Sequence, residues 1–200
     1  SAFAAVANVW FVLLWTRANV QEPGTAAIKG VGIAADADSG AVPIAHGMPL
    51  WVLLIGGAAN ALGLFAYATA LNDVLDWKRD RTLNPDRPIP AGKLRIDHAV
   101  TLVACTLVVS ILGATVLGMT SVLLTLLVAG AILFFNATGK FIPAVGLVAL
   151  GLIYAGQMVI PNISIRFVWP VWLVMTHALA VGGLVHMVAR KVPLVSTRAA

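Results

Sequence analysis

Charge is scarce in this sequence, and acid is scarcest. Eight Asp and Glu and thirteen Lys and Arg leave the 200 residues only 10% charged, against about a quarter in a soluble domain. A soluble fold is excluded on that ground, and the 60% hydrophobic content and mean hydropathy of +0.95 agree. A single cysteine, Cys105, rules out a disulfide framework and a CxxC metal site. Lying inside an apolar run, it reads as a small packed hydrophobe. No positive segment precedes the first apolar run, so no signal peptide is read. The chain starts at Ser1 without Met, and the expectation is a processed start or a fragment. A net charge of +5 then bears on orientation in a bilayer, and no nucleic-acid partner is expected.

What is present is a series of apolar blocks long enough for a hydrocarbon core of about 30 Å. They run Ala2–Trp15, Pro49–Leu71, His98–Leu117, Val122–Phe135, Ile142–Ile160 and Val168–Val188. Six spans make an all-α, multi-pass transmembrane bundle. Arg17–Gly47 is a polar loop, and Met119–Ser121 is expected to turn the chain between the third and fourth spans. Gly56, Gly57 and Gly63 in the second span, and Gly146, Gly151 and Gly156 in the fifth, predict close helix packing.

The exception to the apolar pattern is Asn72–Arg95, NDVLDWKRDRTLNPDRPIPAGKLR, with four acidic and six basic residues. Asn72, Asp76 and Asp80 recur at i, i+4 and i+8, so on a helix continuing the second span they share one face, with Asp73 beside them. Crowded carboxylates repel unless a cation sits among them. Oxygen donors of this kind suit a hard divalent ion, Mg²⁺ above all where phosphate is present. Arg87 offers a fork to phosphate and Lys93 a point charge. The bland alternative is a solvated loop whose acids balance its arginines; the helical register and the NPDRP turn favour a site. With this loop in the cytoplasm, ten of the thirteen cations fall on that side and Arg17, Lys29 and Arg166 on the other, a positive-inside bias.

NDVLDWKRD followed by NPDRPIPAG resembles the first aspartate-rich motif and trailing turn of the UbiA superfamily of intramembrane prenyltransferases, departing only at Ala91, where Ser is common. LFFNATGKFIPAVGLVALG is similar to the family's middle helices. The resemblance implies a helical bundle, usually of nine spans, and transfer of an isoprenoid chain from a polyprenyl diphosphate to an aromatic or other lipophilic acceptor. The acceptor would be a quinone-precursor ring, a tetrapyrrole, a lipid headgroup or something else. It implies that Asn72, Asp76 and Asp80 hold Mg²⁺, with Asp73 behind them. Arg87 and Lys140 would steady the loop and meet the diphosphate, Lys140 being equally readable as a membrane anchor. Phe134, Phe135 and Tyr154 are candidates to shield the allylic cation.

The family's second aspartate-rich motif has no counterpart. Its place reads HMVARKVPLVSTRAA, and no Asp or Glu follows Asp97. Either the chain, one UbiA-like domain over 1–200, is incomplete, or Arg190 and Lys191 take the second metal's place, with plain anchoring as their ordinary reading. The alternative function is an inactive relative that binds isoprenoid lipid or a membrane partner.

Overall fold

A backbone in hydrocarbon must satisfy its own polar groups, which leaves long apolar runs the helix as their structure. The computed structural model describes residues 2–19, 48–163 and 169–188. Their elements are α1 (Ala2–Asn19), α2 (Leu50–Leu83), α3 (Ile96–Thr115), α4 (Met119–Ala137), a 3₁₀ turn at Gly139–Phe141, α5 (Pro143–Val159) and α6 (Trp169–Val188). Three of these, α2, α3 and α4, are long and apolar enough to cross a membrane, and the others are apolar over shorter lengths. The molecule is an integral membrane helical bundle, as its composition requires.

The longest helix sets the architecture. At 34 residues, α2 is roughly 50 Å long, well beyond the hydrocarbon. Asn72, Asp76 and Asp80 lie toward its C-terminal, charged end. Antiparallel α3, α4 and α5 follow, so the start of α3, the end of α4 and the start of α5 all lie at the polar end of α2. The helix packs against α1, α3 and α4, while α5 lies against α1, α4 and α6.

Lipid tails are as apolar as leucine, so burial from water does not drive these helices together; close packing and polar contacts do. Gly63 sits against Ser110, and Gly113 against Asn60, at distances with no room for a side chain. Beside these contacts Asn60, fully buried, turns its amide nitrogen to the Ser110 carbonyl at 3.0 Å and to Thr125 Oγ1 at 2.9 Å. Ser110 Oγ donates back to the Asn60 carbonyl, so α2, α3 and α4 are joined at one polar node. A Cβ on Gly113 would fall 2.5 Å from Asn60 N and 2.6 Å from Gly56 O, whereas one on Gly130 would meet nothing within 4 Å. Gly113→Ala is therefore expected to cost about 1–3 kcal/mol. Gly130→Ala should stay within about 0.5 kcal/mol of the parent, both read by thermal unfolding in detergent.

Two local expectations are corrected. The turn between the third and fourth spans lies at Val116–Gly118, and α4 already begins at Met119. Gly118, at φ 111°, holds a backbone conformation that side chains oppose. Cys105 is exposed on the outer face of α3 rather than packed. In a bilayer an outward face is as apolar as the core, so hydrophobicity alone does not place a residue inside.

Candidate functional site at the polar end of the bundle

The NDVLDWKRD segment is helical because no breaker interrupts it, and the helix stops where Pro85, Pro88 and Pro90 cluster. Asn84 caps it twice, its backbone N–H donating to the Asp80 carbonyl at 2.8 Å and its Nδ2 to Asp80 Oδ1 at 3.0 Å. The chain then folds back through bonds from Ala91 N to Arg87 O and from Leu94 N to Pro88 O. Gly92 takes φ 72° with open space around it. This return places Arg87 over α2, where Nη1 reaches Asp80 at 2.8 Å and Asp73 at 3.3 Å. Only 6% of the Asp80 side chain is exposed.

The second cation comes from across the bundle. Lys140, on the 3₁₀ turn between α4 and α5, directs Nζ to both oxygens of Asp76 at 2.7 Å and to Asn72 Oδ1 at 3.1 Å. Lysine and aspartate side chains are each 14% exposed. An ammonium has three donors, and these three acceptors use them all. Gly146 permits the approach, since a Cβ there would lie 2.7 Å from the Gly139 carbonyl.

The acids are thus arranged as two neutralised pairs, Asp76 with Lys140 and Asp80 with Arg87, the latter shared by Asp73. Among the described residues no three His, Cys, Asp or Glu side chains converge as a metal-holding group. Asn72 and Asp76 nonetheless aim three oxygens at one cation, the Lys140 ammonium. Hard oxygen donors around a positive charge are the donor chemistry that Mg²⁺ takes, so these residues fit such an ion.

Of the residues singled out from sequence, Asn72, Asp73, Asp76, Asp80, Arg87 and Lys140 are brought together. Lys93 is exposed on the loop and, among the described residues, has no acidic partner. Arg190 and Lys191 lie outside the described residues. The same helix end also carries exposed Lys78, Arg79 and Arg81, with Arg81 over the Trp77 ring at 4.5 Å and Arg79 over the Phe141 ring at 5.7 Å.

Below the polar cluster an apolar cavity of about 290 Å³ runs between α2, α4 and α5, with Ala5 of α1 also lining it. Asn72 and Asn136 line its polar end, Phe65, Phe135 and Tyr154 its walls, and Gln157 its deep end. Leu64, level with that deep end, is eight residues from Asn72, a rise of about 12 Å. Phe134 faces outward, 53% exposed, and does not line it. Asn136 and Gln157 were not singled out from sequence. Their signal was there, since a lone amide in an apolar span marks either a helix contact or a site.

Comparison with solved structures supports this fold. The chain matches a digeranylgeranylglyceryl phosphate synthase at 19% identity and TM-score 0.57, covering 66% of this chain and 48% of that one. It also matches the apo structure of a UbiA homolog from Aeropyrum pernix K1 at 20% identity and TM-score 0.64, covering 94% and 62%. The chain therefore spans roughly half to three fifths of the length of these structures. No curated protein gave a significant match. The model of the UbiA prenyltransferase family matches residues 37–193, most of the chain and the whole of the site, and the chain belongs to that family.

Proposed function

We propose that this chain is a Mg²⁺-dependent intramembrane prenyltransferase whose residues 1–200 all belong to one UbiA-like transmembrane domain. It moves an isoprenoid chain from a polyprenyl diphosphate to an aromatic or other lipophilic acceptor. The observation that carries the reading is the shared position of Asn72, which belongs both to the acid–cation cluster and to the mouth of the apolar cavity. A charged headgroup and an apolar body can be held there at once. Seven of the eight described Lys and Arg lie at this end of the bundle, which supports a cytoplasmic orientation.

The chemistry is an ionisation. The allylic C–O bond breaks with its electron pair going to the diphosphate, and the acceptor then gives a pair to the allylic carbon and loses a proton. Mg²⁺, held by Asn72, Asp76 and Asp80 with Asp73 behind them, would supply positive charge to the departing diphosphate. Arg87 meets its acids through Nη1 alone, so the remaining guanidinium donors are open to phosphate oxygens. Lys140 and Lys93 add positive charge at the same rim. The rings of Phe65, Phe135 and Tyr154 border the space where the allylic cation forms, and their faces stabilise positive charge. The apolar walls exclude the water that would quench it.

Arg87→Gln tests the headgroup assignment. It removes a phosphate fork and frees Asp73 and Asp80 to repel the substrate. Affinity for a polyprenyl diphosphate, measured by titration in nanodiscs, is expected to fall about tenfold or more. Unchanged affinity would remove Arg87 from the headgroup site.

A further inference from the structure

The charged end of α2 has two sides, and the acid–cation cluster uses one of them. At 3.6 residues per turn, Lys78 lies about 160° around the helix from both Asp76 and Asp80. Arg81 follows Lys78 by one turn, and Arg79 lies on the flank. All three cations are exposed, and among the described residues none has an acid within ion-pair distance. The full sequence closes the count of acids. Of the eight, Asp73, Asp76 and Asp80 are held by Arg87 and Lys140, Asp97 by Arg95, and Asp86 stands exposed on the loop. Glu22, Asp36 and Asp38 belong to the connection that enters α2 at Leu50, about 40 Å of helix away from Lys78. The other residues outside the described set hold no acid.

These cations are also placed for phosphate. Arg81 lies over the Trp77 ring at 4.5 Å and Lys78 over the same ring at 5.9 Å, while Arg79 lies over Phe141 at 5.7 Å. A ring face steadies a cation without using its N–H groups, so the guanidinium edges stay open to two oxygens of one phosphate. Apolar side chains are exposed beside them. Leu75, one turn before Lys78 and Arg79, is 42% exposed, and Phe141 and Ile142 are 46% and 55% exposed. Exposed apolar side chains next to cations and a tryptophan make up the layer in which a bilayer's hydrocarbon gives way to headgroups. A soluble acidic partner would answer the charge alone. A phospholipid with a negative headgroup answers both.

We infer that this side of α2 binds the headgroup of an anionic phospholipid through Lys78, Arg79 and Arg81. The inference goes beyond the proposed prenyl transfer and stands without it. Native mass spectrometry of the full chain, with dioleoylphosphatidylglycerol or dioleoylphosphatidylcholine added to the micelles, tests it with lipids of the same tails and different headgroup charge. Phosphatidylglycerol is expected to bind about tenfold or more tightly, since each Lys or Arg near an anionic surface strengthens binding about fivefold. The preference is expected to shrink about tenfold in the Lys78→Gln, Arg79→Gln, Arg81→Gln variant, and to fall as the ammonium acetate concentration is raised. The Lys78→Arg, Arg79→Lys, Arg81→Lys variant should keep it, with circular dichroism as the check that both variants fold. Equal affinity for the two lipids, or a preference that the glutamines leave unchanged, overturns the inference. Equimolar polyprenyl diphosphate is expected to leave phosphatidylglycerol bound. Displacement by it would move the anion into the acid–cation cluster and overturn the inference. A polyglutamate peptide that binds more tightly than the lipid would give the surface to an acidic protein and do the same.

Discussion

Asp76→Asn is expected to lower the rate of prenyl transfer by about a thousandfold while leaving most of the protein folded. The carboxylate is the centre of the cluster, with both oxygens 2.7 Å from Lys140 Nζ and Asn72 sharing that ammonium at 3.1 Å. Asparagine keeps the volume and one carbonyl acceptor but removes the charge that a cation on the diphosphate requires. Packing is spared because the long lysine stem can carry its freed ammonium toward water. Asp80→Asn should behave similarly, since Asp80 holds Arg87 at 2.8 Å and accepts from Asn84. Initial rates of diphosphate release, with circular dichroism as the check on folding, read both. Loss of activity through unfolding alone would show as lost helicity.

The second large effect is on stability, and it is not symmetrical between the partners. Lys140→Met removes the cation from the Asp76 carboxylate, which is only 14% exposed and sits among other acids on a side chain too short to move far toward water. Removing one member of such a pair is expected to cost about 2–3 kcal/mol. The double variant, Lys140→Met with Asp76→Asn, should recover more than half of that loss, because no unpaired charge remains. Thermal unfolding of the four proteins in detergent completes the cycle. A double variant no more stable than Lys140→Met would mean that the lysine acts through packing against the 3₁₀ turn and not through its charge.

Much of this arrangement was legible in the sequence, for a physical reason. A period of four in Asn72, Asp76 and Asp80 is a local property of one helix, and the proline cluster that ends it is local too. The pairing of Asp76 with Lys140 is not, because 64 residues separate them. Only the fold brings the α4–α5 turn over the end of α2, and so Lys140 read equally well as an anchor. Asn136 and Gln157 were hidden differently, as isolated amides in apolar runs whose inward direction depends on helix rotation. The same ambiguity misplaced Cys105, since membrane helices are apolar on every side and no amphipathic stripe distinguishes lipid from core. Phe135 and Phe134 are neighbours in sequence, yet only Phe135 reaches the cavity.

If the acid–cation cluster ionises a diphosphate and its isoprenoid passes to an acceptor, both products must appear together and depend on the acids. A single-turnover reaction with the full chain in nanodiscs, Mg²⁺, a radiolabelled polyprenyl diphosphate and a panel of lipophilic aromatic acceptors is the decisive experiment. Diphosphate and prenylated acceptor are expected in equal amounts, and neither from the Asp76→Asn, Asp80→Asn double variant. Diphosphate release at the same rate from wild type and double variant would contradict this mechanism, as would a wild type that binds the substrate and never cleaves it.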